Sequence, residues 1–365
     1  MWYVQRMLKS SDPVKVEQQA VERLRNILAE VPEVELVDIL TEPDQQDRSI
    51  DFIAHLSFNG QQRTIVAEVK SSGQPRHVQT ALFQLQRYVE GQKESVVPIV
   101  VAPYLSEDAR ALCTESNVGF LDFEGNARIR FPGFFLSREV AGKPPAERRE
   151  LRSLFKPKSV QVMRTMLRDP ARQWRVADLA RESHVSMGHV SNVRNSLLDR
   201  KWAEVSDGGL FLSDPDGLLD TWREEYVPPA GERRTFYTTL HGSAFDAALR
   251  EHGPALALHG AAILSSFSAA NWLAPYARIG THYFYADQEG VDRMRGFLKL
   301  STAARGENVV VTELDDFGLF HDAVEPTDGI YCTSPVQTYL DLYVSGDRGR
   351  EAAEHLRQER LQWQK

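Results

Sequence analysis

Cysteine is nearly absent from this chain: two in 365 residues, Cys113 and Cys332, far apart and without ligand spacing. That excludes a disulfide framework and a cysteine-built zinc site, and it fits a reducing cytoplasm. Long apolar runs are missing too, so no stretch reaches the length needed to span a bilayer, and no membrane partner is expected. The opening Met1-Trp2-Tyr3-Val4-Gln5-Arg6 lacks the apolar core of a secretory signal. Neither internal repeats nor low-complexity tracts occur. What is present is ordinary globular material, 42% hydrophobic and 26% charged residues. At this length the chain has room for two or three domains.

Net charge is −8, which taken alone disfavours a polyanionic partner. Its distribution reverses that reading for one stretch. Leu151 to Val205 carries eleven Lys or Arg against five Asp or Glu, a balance of +6. Phe236 to Lys365 carries eleven against seventeen, a balance of −6. A basic middle therefore lies before an acidic end.

Three segments follow from composition and periodicity. In residues 1–142, Val16, Ala20, Leu24, Ile27 and Leu28 sit at helical spacing over 14–30. Strands Ile50–Phe58 and Thr64–Val69 flank an Asn59-Gly60 turn. A helix near 76–91, a strand Val96–Ala102, a helix near 106–115 and strands Gly119–Asp122 and Ala127–Phe131 come next. This is an α/β order with a mixed sheet. The turn Glu124-Gly125-Asn126 reads as structural, with Gly and Asn supplying positive φ. Ala141 to Glu150 reads as a linker, as does Val227-Pro228-Pro229-Ala230-Gly231. Between them lies a helical segment, 151–227, and after them an α+β segment, 235–365.

The first segment holds an ordered polar series: Asp51, then Glu68-Val69-Lys70, then Gln84 and Tyr88 on the following helix. Carboxylates on neighbouring strands can share a hard divalent cation such as Mg²⁺ or Mn²⁺. Lys70, two residues after Glu68, projects from the same strand face and can orient an attacking water. An exposed Glu-x-Lys pair would be worth only about 0–1 kcal/mol. Here Ile65, Val66, Ala67 and Val69 mark a buried strand, where charges need partners or a metal. His55 and His77 read as packing or surface residues.

Over about residues 14–135 this series resembles the PD-(D/E)XK, or restriction-endonuclease-like, superfamily. The resemblance implies metal binding by Asp51 and Glu68, water positioning by Lys70, and support from a Gln84-x-x-x-Tyr88 element. It implies a helical acid as well, for which Glu17 and Glu22 are candidates. Asp51 follows Ile50 instead of proline, a common departure. Two readings stay open: an active metal-dependent endonuclease, or a fold that has outlived its chemistry.

The basic segment reads as three helices and a hairpin. The first helix covers 159–168. The second opens at Trp174-Arg175-Val176. After His184-Val185-Ser186, the third covers Met187 to Arg200, and strands near Ala203–Val205 and Leu210–Leu212 would form a wing. This resembles the winged helix-turn-helix of bacterial regulators. A third helix in the major groove would offer Ser186, His189, Asn192, Arg194 and Asn195 to double-stranded DNA. Ser186 and Gly188 are small enough for close backbone approach. Lys156, Lys158, Arg164, Arg175, Arg200 and Lys201 would meet phosphates.

In the last segment, Ala257 to Leu264 and Ile330 to Leu342, continuing to Gly346–Glu354, resemble the C-terminal domain of AbiEi-type antitoxins. The resemblance implies a cytoplasmic transcriptional regulator of a type IV toxin–antitoxin pair, with a nucleotidyltransferase-like toxin as partner. Winged-helix regulators often read palindromes as homodimers. The nuclease-like segment is absent from the simplest members. No catalytic set appears in this segment: Asp315-Asp316 reads as a solvated turn, His259, His282 and Asp341 as structural. The expectation is therefore α/β plus α+β and multidomain, a regulator with a nuclease-like mixed sheet. The alternative is an active restriction or phage-defence endonuclease, and a blander one an interaction protein.

Overall fold

The computed structural model describes residues 13–41, 50–92, 95–258, 262–276, 280–302, 306–314 and 317–363. His259 and the Asp315-Asp316 pair lie outside the described residues. The fold is mixed α/β and divides into two compact units, Met1–Arg149 with Leu198–Lys201, and Glu150–Leu197 with Trp202–Lys365.

The first unit is built on a seven-stranded mixed sheet. In chain order it contains α1 (Pro13–Ala29), β1 (Val34–Thr41), β2 (Phe52–Phe58), β3 (Gln61–Val69), α2 (Pro75–Glu90), β4 (Val96–Ala102), α3 (Glu107–Glu115), β5 (Gly119–Asp122), β6 (Ala127–Phe131) and β7 (Phe134–Arg138). The strands lie in sequence order, with β3–β4 and β4–β5 parallel and the other pairs antiparallel. Helical spacing buries Ala20, Leu24 and Leu28 of α1 against Phe52, Ala54, Ile65, Ala67 and Ile99 on one sheet face. Val78, Ala81 and Leu85 of α2 meet Val66, Val100 and Phe120 on the other. Period-two alternation along β3 thus sends Ile65 and Ala67 one way, Val66 and Glu68 the other. The β2–β3 turn has positive φ at both Asn59 (49°) and Gly60 (78°), which only such residues take at low cost.

Four elements depart from the sequence expectations. Strands β1 and β7 sit at the sheet edges, and the burial of β1 follows no alternation, so no period-two signal announces it. Residues Pro145–Glu150, expected as linker, instead open helix α4 (Pro145–Leu154), with proline in its first turn. At the turn after β5, Gly125 alone takes positive φ (113°). Asn126 acts through its groups instead: its N and Nδ2 donate to buried Asp122 at 2.8 Å, and its Oδ1 accepts from Val140 N.

After the end of α4, the second unit contains α5 (Pro157–Leu167), α6 (Val176–Glu182), α7 (Met187–Asp199, counted to the first unit from Leu198), β8 (Ala203–Ser206) and β9 (Gly209–Leu212). Strands β8 and β9 pair antiparallel, giving the three helices and hairpin that the sequence suggests. The fourth departure is α8 (Pro215–Glu224), capped by Asp214, whose Oδ1 accepts from Gly217 N at 3.0 Å. Next come β10 (Glu232–Phe236), α9 (Ser243–Leu258), β11 (Ala262–Leu264), α10 (Ser266–Leu273), β12 (His282–Ala286), α11 (Gln288–Phe297) and β13 (Val309–Glu313). A 3₁₀ helix, Phe317–Asp322, leads to β14 (Val324–Thr327), β15 (Ile330–Cys332), α12 (Pro335–Tyr343) and α13 (Asp347–Arg360). Six of these strands form a mixed sheet ordered β10-β13-β12-β11-β15-β14.

Ion pairs join the helical and sheet-bearing parts of this unit. Arg357 of α13 donates to Asp220 at 2.6 Å and Asp216 at 2.8 Å, both on α8. Arg164 of α5, buried, pairs with buried Asp322 at 3.4 Å and donates to Gln337 Oε1 at 3.1 Å. Arg168 reaches the same carboxylate at 2.6 Å. Asp341 is buried among Tyr226, Tyr285 and Gln337, which all donate to its Oδ1. No described helix is long and apolar enough to cross a membrane.

Candidate functional site

The β2–β3–α2 corner gathers the polar series of the first unit. Asp51, just before β2, donates its N–H to Ala67 O at 3.0 Å, and its Oδ2 accepts from Val69 N at 2.6 Å. Glu68, next to last in β3, lies on the α2 face and is only 4% exposed. Lys70 Nζ donates to Glu68 Oε1 at 2.5 Å and to Gln84 Oε1 of α2 at 2.8 Å. Tyr88, one turn beyond Gln84, packs half-buried on the α2-side core. Asp51, Glu68, Lys70 and Gln84 are therefore neighbours, although up to 33 residues separate them in sequence.

Electrostatics at this corner are those of carboxylates short of compensation. Burial pushes the Glu68 carboxyl up to about 7, with the charge of Asp51 adding to the rise and Lys70 opposing it. Burial raises Asp51 as well, against the Val69 amide and Lys70. Among the described residues, Glu68 Oε2 is buried with no hydrogen-bond partner. An orphaned carboxylate oxygen beside a second carboxylate fits a divalent cation, which would take Glu68 and Asp51 as ligands. Among the described residues no three His, Cys, Asp or Glu side chains gather as a metal cluster. Glu17 and Glu22 of α1 therefore do not complete a three-acid site, contrary to expectation.

In the second unit, Lys156 and Lys158 flank the start of α5 and are exposed, as is Arg175 at the N-cap of α6. On α7 and its entry, Ser186, Asn192 and Asn195 are exposed and Arg194 is half-buried. His189 is less free than its position suggests, because its Nε2 lies 3.0 Å from Ser159 Oγ of α5. Arg164 and Arg200, expected at phosphates, are buried, so neither presents its charge to a solvent-side partner. Met187, at the first position of α7, is a large apolar residue left 59% exposed, which the sequence alone does not show.

Comparisons with known proteins bear mostly on the C-terminal part. No curated protein matches the chain. One solved structure, a repair endonuclease from Pyrococcus abyssi, is 23% identical over 28% of this chain and 46% of its own, with a TM-score of 0.21. The chain thus spans less than half of that protein, and a likeness so shallow says nothing of chemistry. The family model described as transcriptional regulator, AbiEi antitoxin, Type IV TA system matches residues 211–362. That match begins in β9, takes in α8 and continues through α13, so it is the C-terminal part of this chain that is similar to the AbiEi antitoxin family.

Proposed function

We propose that this chain is a DNA-binding transcriptional regulator of a type IV toxin–antitoxin pair, its α5–β9 segment holding duplex DNA. The observation that carries the proposal is the antitoxin-family domain running directly on from three helices and a hairpin. Exposed Ser186 at the entry to α7, with Asn192 and Asn195 on it, suits base edges, since asparagine pairs bidentately with adenine. Lys156, Lys158 and Arg175 suit phosphates, and the +6 balance over Leu151–Val205 supplies the field. Its protein partner on this reading is a nucleotidyltransferase-like toxin, and a homodimer would match a palindromic operator.

The test is Lys156→Glu in an equilibrium titration of duplex DNA across salt concentrations. Removing one phosphate contact should flatten the salt slope by about 0.9, and the reversed charge should weaken binding further. Affinity and slope equal to wild type would sink the assignment. In the genome, a neighbouring nucleotidyltransferase-like gene is expected; a methyltransferase or helicase neighbour would favour phage defence.

A second reading concerns the first unit, and the orphaned Glu68 Oε2 favours it. On this reading the corner is a PD-(D/E)XK phosphodiesterase site for Mg²⁺ or Mn²⁺. When bound, the cation supplies Lewis-acid stabilisation of charge on a phosphoryl oxygen. Asp51 and Glu68 hold it, while Lys70, fixed between Glu68 and Gln84, keeps a proton donor beside the phosphate position. Tyr88 extends the α2 wall toward substrate. Plasmid cleavage with Mn²⁺ by wild type and not by Glu68→Ala is the expected result.

A further inference from the structure

The second unit contains a cavity of about 460 Å³ bounded by α4, α5, α8, the Val227–Gly231 strap and the sheet-bearing part. That volume is in the range of small-ligand sites. Its wall is apolar: Val160, Leu314 and Leu319 face Phe155 and Trp222, whose rings lie parallel (5°) with centroids 5.8 Å apart. A parallel ring pair offers a flat face on which a third ring stacks.

The cavity's polar residues sort into two groups. Arg164, Tyr226 and Gln337 are occupied by one another and by Asp322 and Asp341. Arg152 and Lys156 are exposed and make no ion pair among the described residues, and Glu225 is the lone carboxylate of the lining. An aromatic slot with two uncommitted cations selects a ring system bearing an anionic group.

We propose that this cavity is a binding site for a small aromatic anion. A consequence, which rests on the DNA-binding reading above, is that its occupant competes with duplex through Lys156. An anion drawing Lys156 toward the cavity removes a phosphate contact, so the ligand would act as an inducer.

The probe is 1-anilinonaphthalene-8-sulfonate, fused rings with a sulfonate, titrated into the full chain. Dye fluorescence excited through tryptophan should saturate at one equivalent, because Trp222 lines the site. Ala230→Phe, which adds a ring from the strap without touching a buried helix, should weaken the dye about tenfold or more, and Arg152→Ala by several-fold. Dye binding that survives Ala230→Phe unchanged, or that runs to many equivalents, would overturn the site. Labelled duplex should bind several-fold more weakly with saturating dye in wild type and not in Ala230→Phe. Equal duplex affinity with and without dye would overturn the competition alone. A chain that takes the dye and no duplex would overturn the DNA-binding reading and leave the site standing.

Discussion

Lys70, the residue after β3, pairs with Glu68 near that strand's end: Nζ stands 2.5 Å from Oε1, while Oε2 has no hydrogen-bond partner among the described residues. The pairing is incomplete, since burial outweighs the ammonium and the carboxyl sits at about 7. A divalent cation binding here should therefore stabilise the folded chain by about 2.7 kcal/mol at a hundredfold excess over Kd. Mn²⁺ is expected to raise the melting temperature of wild type and leave Glu68→Gln unmoved. Lys70→Met, which strips a buried carboxylate of its cation, should cost about 1–3 kcal/mol without metal and regain part of it with Mn²⁺. Equal metal shifts in wild type and Glu68→Gln would refute the assignment of the corner as a cation site.

Gly188 lies in the first turn of α7 with nothing within 4 Å of where a Cβ would stand, and its φ is not positive. The fold gives no reason for glycine there, and glycine within a helix costs about 0.5–1 kcal/mol relative to alanine. A partner that approaches the backbone closely does give one. Gly188→Ala should therefore raise stability by up to about 1 kcal/mol in urea and lower duplex affinity. A variant that gains stability and binds DNA as wild type does would remove the close approach from the recognition model.

Much of this was legible in the sequence because it is written in local periodicity. Strands β4, β5 and β6 appear with the boundaries read from Val96–Ala102, Gly119–Asp122 and Ala127–Phe131. Turn chemistry gave the Asn59-Gly60 hairpin and helix spacing gave α1, α2 and α7. What escaped depends on partners distant in the chain. Strand β1 forms against β2 with a register shift between Leu36 and Asp38, so its own residues carry no clean alternation. The Asp51–Glu68–Lys70–Gln84 grouping was readable as an ordered series, whereas the orphaned Oε2 arises only from packing. Arg164 reads as one more cation of a basic stretch until Asp322, 158 residues later, takes its charge.

His282 predicts an acid-sensitive term in the stability of the second unit. Its ring stacks on Phe245 at 3.7 Å, and burial, with His241 adding, lowers its value to about 4. Folded, the imidazole stays neutral; unfolded, it takes a proton near 6.5. The stabilisation is thus whole above about pH 6.5 and is lost as pH falls toward 4, on the order of 3 kcal/mol at most. His282→Phe keeps the stack and should remove that slope. Urea midpoints of wild type and variant that fall in parallel between pH 7 and 5 would rule it out.

Asp341 acts with the opposite sign. Its Oδ1 accepts from Tyr285 at 3.0 Å and Gln337 at 3.1 Å as well as from Tyr226, yet burial raises its carboxyl to about 6. The three hydrogen bonds, and the more distant Arg164, favour the anion; desolvation outweighs them together. Between about pH 4 and 6 the folded chain binds the proton more tightly than the unfolded one, so this group's contribution falls as pH rises and is at its worst above 6. Asp341→Asn keeps the Oδ1 acceptor for all three donors and removes the buried charge. Wild type should therefore be less stable than Asp341→Asn at pH 7.5, by on the order of 1–3 kcal/mol, and the gap should close by pH 4. A variant less stable than wild type at pH 7.5 would mean that the anion's hydrogen bonds outweigh its desolvation, and would place the carboxyl below its ordinary value.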